Sequence, residues 1–216
     1  MLRILPLLLV LLPCPGAAYT ILIVGDSLSA SYGIPVEQGW VALLQSRLGE
    51  QCAHCSVINA SISGDTTAGA RARLPQAIDR HQPRVVILEL GGNDGLRGLS
   101  LAEMRQNLAA MIAMAQGEGA RVLLIGVQLP PNYGSRYTER FQAVYHQLAQ
   151  QHDVTLLASL VDGVGTRAEL MQADGIHPNA QAQPLIMARV WEHLEPLLEA
   201  RQGGSQGPIG VGETDE

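Results

Sequence analysis

The sequence predicts an α/β protein, a three-layer α/β/α sandwich with a mostly five-stranded parallel sheet. Apolar runs rich in valine, isoleucine and leucine alternate with longer segments whose apolar residues recur at helical spacing. Such alternation is typical of βαβ units, whose strands pair in parallel. A length of 216 residues with 47% hydrophobic content suits one compact domain with a full core.

The predicted elements follow one another in a regular order. A strand is expected where an apolar run ends at glycine or a polar cluster, and a helix where the apolar repeat is helical. The predicted strands are Thr20–Val24, Ser56–Asn59, Arg84–Leu90, Arg121–Val127 and Val154–Leu157. The predicted helices are Val36–Leu48, Thr67–His81, Ser100–Gly117, Arg136–Gln151 and a last helix from about Pro178 to Leu198.

Local signals support two of these helices. Ser100 with Glu103 has the pattern of a capping box, and Gly117 and Gly119 mark the end of that helix. Pro178 is suited to the first turn of the last helix, because the N–H that proline lacks has no intrahelical partner there.

Charge and composition exclude several classes of function. A formal net charge of −6 argues against a nucleic-acid partner, which requires a basic face. All 14 basic residues are arginines, which excludes a Schiff-base lysine, a P-loop and a Ser-Lys dyad. The sequence has no HExxH or paired CxxC run, so we expect neither a metal nor a cofactor.

A serine directly follows the first predicted strand, in Gly25-Asp26-Ser27-Leu28-Ser29. Ligands of open α/β folds bind at the carboxyl ends of the strands, so the Ser27 hydroxyl should lie at that edge of the sheet. Ser29 stands where the nucleophile elbow G-x-S-x-G has its second glycine. The segment is therefore not that elbow, and oxyanion donors must come from elsewhere.

Other polar segments supply the remaining parts of a nucleophilic site. Donor candidates stand past two further strand ends: the backbone N–H of Gly64 and the side-chain amide of Asn93. Far downstream, Asp174 and His177 lie three residues apart. A carboxylate there could orient one imidazole nitrogen while the other nitrogen faces Ser27, which is the arrangement of an activated hydroxyl.

Four blocks, GDSLS, NASISGDT, ELGGNDGLRG and DGIHPN, resemble in this order the blocks of the SGNH (GDSL-type) hydrolases. The likeness runs from about Ile21 to Leu198, and the flanking segments resemble those of the bacterial periplasmic acyl-CoA thioesterase I, arylesterase and lysophospholipase group. The resemblance implies a flavodoxin-like SGNH hydrolase fold. It also implies Ser27, Asp174 and His177 as catalytic residues, and Ser27, Gly64 and Asn93 as oxyanion-hole donors.

The resemblance implies hydrolysis of acyl esters and thioesters through an acyl-enzyme on Ser27. Substrates would be small: fatty acyl-CoA, aryl and alkyl esters, and lysophospholipids. We hypothesise an apolar acyl groove lined by residues that flank the motifs: Leu96, Leu129, Pro130, Tyr133 and Ile176. We expect a monomer.

Two other functions compete with this prediction. A carbohydrate O-deacetylase of exported or cell-wall sugars is the main alternative, because similar blocks serve carbohydrate esterases. The aromatic content of 4% disfavours an aromatic platform for sugars. The complete set of serine, glycine, asparagine, aspartate and histidine argues against a non-catalytic binding module.

The segment Cys52-Ala53-His54-Cys55 leaves three interpretations open. A disulfide in an oxidising compartment is favoured, free thiols come second, and a redox or metal role comes last. No second CxxC completes a metal site.

The two ends of the chain differ in composition from the domain. A short positive start, an apolar core from Ile4 to Leu12 and a small, turn-prone stretch predict a signal peptide over residues 1–18. The apolar core is too short to span a bilayer, so we expect no stable membrane insertion and export to a bacterial periplasm or beyond. The hydrolase domain is then residues 19–200, and residues 201–216 are expected to form a disordered Gly-rich acidic tail.

Overall fold

The structure is a computed structural model that describes residues 18–199. The signal peptide and the tail expected at the two ends lie outside these residues, apart from Ala18. The strands are β1 (Thr20–Gly25), β2 (Ser56–Asn59), β3 (Val85–Glu89), β4 (Arg121–Ile125) and β5 (Thr155–Leu157). The α-helices are α1 (Trp40–Gln51), α2 (Thr67–His81), α3 (Gly92–Leu96), α4 (Leu101–Gly117), α5 (Ser135–His152) and α6 (Gln183–Glu199).

The five strands form one parallel sheet in the order β2-β1-β3-β4-β5. The α/β class and the parallel sheet expected from the sequence are confirmed. The order reverses between β1 and β3, so that their connections leave to opposite sides and open a crevice at their carboxyl ends. Ser27 follows β1 and Asn93 follows β3, which places both residues at this crevice.

Each face of the sheet is covered by a layer of helices. Alternate strand residues point to opposite faces. On one face Leu22, Val24 and Val86 belong to a buried cluster with α2, α4 and α5. On the other, Ile21 and Ile23 belong to a cluster with α1 and α6. Burial on both faces explains why these strands are continuous apolar runs rather than alternating ones.

The last helix begins later than the sequence predicted. Pro178 does not lie in its first turn but pairs with Met171 in an isolated antiparallel bridge. The side chain of Asn179 then accepts hydrogen bonds from the N–H groups of Gln181 and Ala182 and caps a 3₁₀ turn, after which α6 starts at Gln183. The prediction for Pro178 was wrong because the asparagine beside it supplies the cap.

The first helix also starts later. Val36–Gln38 forms a separate 3₁₀ turn, and Gly39 has extended backbone angles that interrupt the helix, so α1 begins at Trp40. The Trp40 N–H donates instead to Oε1 of Gln183, 3.0 Å away at the start of α6. At the other end of α1, Cys52 and Cys55 form a disulfide.

Candidate active site

Ser27 lies in a tight turn directly after β1. The side chain of Asp26 accepts a hydrogen bond from the Leu28 N–H at 3.1 Å, and the Asp26 carbonyl accepts one from the Ala30 N–H at 2.9 Å. Ser29 points into the protein, where its hydroxyl donates to Oε2 of Glu89 at 2.7 Å. The local hydrogen bonds of this turn leave the Ser27 hydroxyl facing the crevice, where it lines a cavity of about 240 Å³.

The structure brings His177 and Asp174 to this serine. Nε2 of His177 lies 2.9 Å from Oγ of Ser27, and Nδ1 of His177 lies 2.6 Å from Oδ2 of Asp174. A carboxylate can only accept, so Nδ1 carries the proton that is donated to Asp174. Nε2 of the neutral imidazole is then free to accept the proton of the Ser27 hydroxyl.

Asp174 is held in its ionised form by hydrogen bonds. Its Oδ1 accepts from the N–H groups of Ile176 and His177, at 2.9 and 3.0 Å. Partial burial by itself would raise the pKa of Asp174, but the hydrogen bonds from His177 and Ile176 outweigh it and lower this pKa to about 2. The carboxylate therefore stays charged at neutral pH and accepts the Nδ1–H of His177.

Gly64 and Asn93 face the same cavity as Ser27 and His177. Gly64 has a φ of +81° in a turn closed by the hydrogen bond from the Asp65 N–H to the Ile62 carbonyl, at 3.0 Å. A positive φ at the third position of such a turn favours glycine. The Asn93 amide donates to Oδ2 of Asp26 at 3.1 Å, which orients the amide and leaves its second N–H uncommitted.

Two buried acids lie beneath this site. Asp26 is 2% exposed, and burial raises its pKa to about 6 although hydrogen bonds from Leu28 and Asn93 oppose the change. Glu89 is fully buried, and both its burial and the charge of Asp26 raise its pKa well above the usual range. Within residues 18–199 its Oε1 has no hydrogen-bond partner, so Glu89 is best accommodated as the neutral acid.

A second, larger cavity of about 430 Å³ adjoins the first. Leu28, Leu96, Val127 and Ile176 line both cavities, so together they form one recess beside Ser27. Four of the five residues proposed for an acyl groove line this recess, and the fifth does not. Leu96, Leu129, Pro130 and Ile176 line the larger cavity. Tyr133 lines neither cavity. It is linked to them by the hydrogen bond that its hydroxyl donates to the carbonyl of the lining residue Leu96, at 3.0 Å.

The sequence reasoning missed three residues at this site. The ring of Tyr32 lies 4.5 Å from the ring of His177, centroid to centroid. The Gln172 amide donates to the carbonyls of Tyr32 and Pro178, and so ties the His177 loop to the segment after Ser27. Glu89 could have been found, since a carboxylate inside the apolar run Val85–Leu90 is unusual for a buried strand.

Among residues 18–199, no group of three or more His, Cys, Asp or Glu side chains is arranged to hold a metal ion. In the same range, no helix is both long enough and apolar enough to cross a membrane.

The chain is similar in sequence and fold to known hydrolases. The profile of the GDSL-like Lipase/Acylhydrolase family matches residues 23–184. The chain is 54% identical to the esterase TesA of Pseudomonas aeruginosa over 192 residues, which cover 89% of this chain and 96% of that one. It is 46% identical to thioesterase 1/protease 1/lysophospholipase L1 of Escherichia coli K12 over 183 residues, 85% and 86% of the two chains. A crystal structure of TesA, 53% identical, superposes with a TM-score of 0.80 over 82% of this chain and 99% of that one.

Proposed function

The chain belongs to the GDSL-like lipase/acylhydrolase family and is an ester and thioester hydrolase, and we propose that it works through an acyl-enzyme on Ser27. The observation that carries this proposal is the continuous line of hydrogen bonds from Ser27 through His177 to Asp174, with distances of 2.9 and 2.6 Å. It is the arrangement that activates a serine hydroxyl as a nucleophile.

In the first half of the reaction, Oγ of Ser27 attacks the acyl carbonyl while Nε2 of His177 takes the hydroxyl proton. Asp174 remains ionised and stabilises the imidazolium. The tetrahedral intermediate collapses when His177 passes this proton to the leaving alcohol or thiol. A water molecule then attacks the acyl-enzyme by the reverse sequence, with His177 again taking and returning the proton, and releases the carboxylic acid.

The negative charge that develops on the carbonyl oxygen is received by three donors in this mechanism. They are the backbone N–H groups of Ser27 and Gly64 and the free N–H of the Asn93 amide. Preorganised donors of this kind act on the transition state more than on the bound substrate, so they raise kcat rather than lower KM.

We place the acyl chain in the recess formed by the two cavities. Its walls include the side chains of Leu96, Leu129, Pro130 and Ile176, and burial of each methylene there contributes about 0.8 kcal/mol. Medium and long acyl chains should therefore be preferred to acetyl groups. The names of the relatives, esterase and thioesterase, do not favour the carbohydrate deacetylase considered above.

One experiment tests both the chemistry and the substrate class. Purified protein is assayed with p-nitrophenyl esters of increasing acyl length, with a fatty acyl-CoA and with an acetylated sugar, and is then treated with a p-nitrophenyl phosphonate. We expect kcat/KM to rise with acyl length until the recess is full, and mass spectrometry to find the phosphonyl group on Ser27. A strict preference for acetyl groups, or labelling at another residue, would refute the proposal.

We also propose the organisation of the whole chain: a signal peptide over residues 1–18, the hydrolase domain over 19–200 and a disordered tail over 201–216. The protein would be exported and act as a monomer. The Cys52–Cys55 disulfide supports export, because such bonds persist in oxidising compartments. Mass spectrometry of the exported protein should find the mature terminus at or near Tyr19, and a lipid-modified Cys14 would contradict it.

A further inference from the structure

Arg97 connects the two segments that supply the proposed oxyanion donors. It follows α3 directly, and its side chain is exposed. Nη2 of Arg97 donates to the carbonyl oxygen of Gly64 at 2.8 Å and, at a longer 3.4 Å, to Oδ1 of Asn93. Gly64 comes from the loop between β2 and α2, whereas Asn93 lies in α3. One guanidinium group therefore spans two separate parts of the chain at the edge of the catalytic cavity.

Arg97 makes its contacts with neutral oxygens and, within the part of the chain that the structure describes, forms no ion pair with an acid. The four ion pairs found among residues 18–199 do not include Arg97, and its side-chain hydrogen bonds go to neutral oxygens. By contrast, Arg73, Arg167 and Arg189 in the same range pair with carboxylates. The position of Arg97 is thus determined by the two candidate oxyanion-hole segments and not by a neighbouring acid.

The two contacts constrain the Asn93 amide from opposite sides. A guanidinium group only donates hydrogen bonds, so the atom of Asn93 that faces Arg97 must be the oxygen. The Asp26 carboxylate accepts, so the atom that faces it must be the amide nitrogen, which lies 3.1 Å away. With oxygen and nitrogen assigned in this way, the second N–H of Asn93 remains available for the oxyanion.

The contact with Gly64 acts on the other donor. The backbone of Gly64 has a positive φ, and the glycine has no side chain that could lock its turn by packing. The hydrogen bond from Arg97 to the Gly64 carbonyl attaches this turn to α3. It therefore holds the exposed part of the Gly64 loop close to the Asn93 amide, in addition to the buried hydrogen bonds from Thr67 to Asp94 that join the end of this loop to α3.

We propose that Arg97 is a positioning residue that locks the Gly64 turn and the Asn93 amide together as one oxyanion hole. This inference rests on the proposed acyl-enzyme function of Ser27. A guanidinium group can make both contacts because it is planar and carries several donors, whereas a lysine ammonium is a compact point charge on a flexible stem. The rival role for Arg97, binding the phosphate groups of an anionic leaving group, predicts a different kinetic pattern.

The test compares Arg97→Gln with a matched control, Arg71→Gln. Arg71 is likewise exposed and donates to a side-chain oxygen, that of Asn107, but it joins α2 to α4 away from the cavity. With a neutral p-nitrophenyl butyrate substrate, Arg97→Gln should lower kcat about tenfold and leave KM nearly unchanged, less than the loss of a donor itself. Arg71→Gln should match the wild type. Arg97→Lys should stay close to Arg97→Gln, because the bridge is lost although the charge is kept.

A second arm asks whether Arg97 acts through Asn93. In an Asn93→Ala background, the side-chain amide that Arg97 positions is already missing. Arg97→Gln should therefore lower kcat clearly less in that background than it does in the wild type. Equal losses in both backgrounds would overturn the proposal. So would full activity of Arg97→Lys, or a rise of KM that is seen for acyl-CoA but not for the neutral ester.

The controls separate this inference from the proposed function. Thermal unfolding of each variant verifies that it is folded, and phosphonate labelling of Ser27 in the wild type verifies the nucleophile. If the wild type is neither labelled nor active, the proposed function fails. If the wild type is labelled and active but Arg97→Gln has wild-type kinetics, only the role of Arg97 is refuted.

Discussion

Two aspartates stand beside the two reacting side chains, and their surroundings are opposite. Asp26 precedes Ser27 and is 2% exposed, beneath the end of the sheet. Asp174 precedes His177 by three residues in a surface loop, where its side chain is 39% exposed. Burial raises the pKa of Asp26 to about 6, whereas the hydrogen bonds from His177 and Ile176 lower that of Asp174 to about 2 despite some burial. The carboxylate that must remain charged is thus the one left near water.

The structures that support the two residues differ in the same way. Ser27 and Asp26 follow β1, an interior strand of the sheet that is buried on both faces. His177 lies in the long connection between β5 and α6, whose only regular pieces among the described residues are short 3₁₀ turns and one isolated bridge. The nucleophile is positioned by the sheet, whereas the base is positioned by side-chain hydrogen bonds such as those of Gln172.

The largest effect is expected on the buried side of this comparison, from Ser27→Ala. Loss of the nucleophile should lower kcat by about 10⁶-fold, as in other serine hydrolases. The turn after β1 should persist, because its hydrogen bonds come from Asp26 and the backbone. Loss of phosphonate labelling with an unchanged melting temperature is the expected result. Residual labelling at another residue would show that the nucleophile lies elsewhere.

Asp174→Asn tests the exposed side. An asparagine can present its N–H₂ group to Nδ1 of His177, which favours the tautomer that cannot accept the Ser27 proton. We expect kcat to fall by about 10⁴-fold while phosphonate still labels Ser27 slowly. The measurement is the labelling rate beside steady-state kinetics. A nearly full kcat for Asp174→Asn would mean that Asp174 does not orient His177.

Asn93→Ala should have a smaller effect because it removes one of three donors. The expected loss is about 10²–10³-fold in kcat, which corresponds to roughly 2.7–4 kcal/mol of transition-state stabilisation. KM should change little. Steady-state kinetics with a neutral nitrophenyl ester measures the two constants separately. A higher KM with unchanged kcat would identify Asn93 as a binder of the ground-state substrate instead.

The smallest effect concerns stability. Asp26 should make the free energy of unfolding fall with rising pH, whereas Asp174 should make it rise with pH, each within its own pH range. The pKa of Asp26 rises from 3.8 to about 6 on folding, so the free energy of unfolding falls as pH rises through that window. Relative to wild type, Asp26→Asn should therefore gain up to about 3 kcal/mol between pH 4 and pH 7. Urea unfolding at a series of pH values measures this difference.

Asp174→Asn is the matched control for that experiment. The pKa of Asp174 is lowered from 3.8 to about 2, so wild-type stability from this group is present above pH 3.8 and is lost as pH falls toward 2. Its difference from wild type should then be constant between pH 4 and pH 7. A pH-dependent difference in that range for Asp174→Asn, or none for Asp26→Asn, would contradict the comparison.

The sequence alone determined the layers of the fold and the residue types of the site. Short apolar runs rich in β-branched residues, such as Ile21-Leu22-Ile23-Val24, predict buried strands because parallel strands covered on both faces are apolar nearly throughout. The polar blocks that end these runs indicate where a site lies, since parallel strands bring their carboxyl ends to one edge. Serine, aspartate and histidine could be identified because few side chains can perform this chemistry.

The tertiary structure decided what depends on contacts between distant segments. The start of α6 could not be predicted from Pro178, because a cap at Asn179 and a bridge to Met171 compete with helix propensity there. Three contacts of the site join segments that are far apart in the sequence, and no local periodicity encodes them. They are the ring contact of Tyr32 with His177, the hydrogen bonds of Gln172 between two loops, and the hydrogen bond of Arg97 between the two donor segments. The opposite pKa shifts of Asp26 and Asp174 have the same origin, because burial and hydrogen-bond partners exist only once the chain has folded.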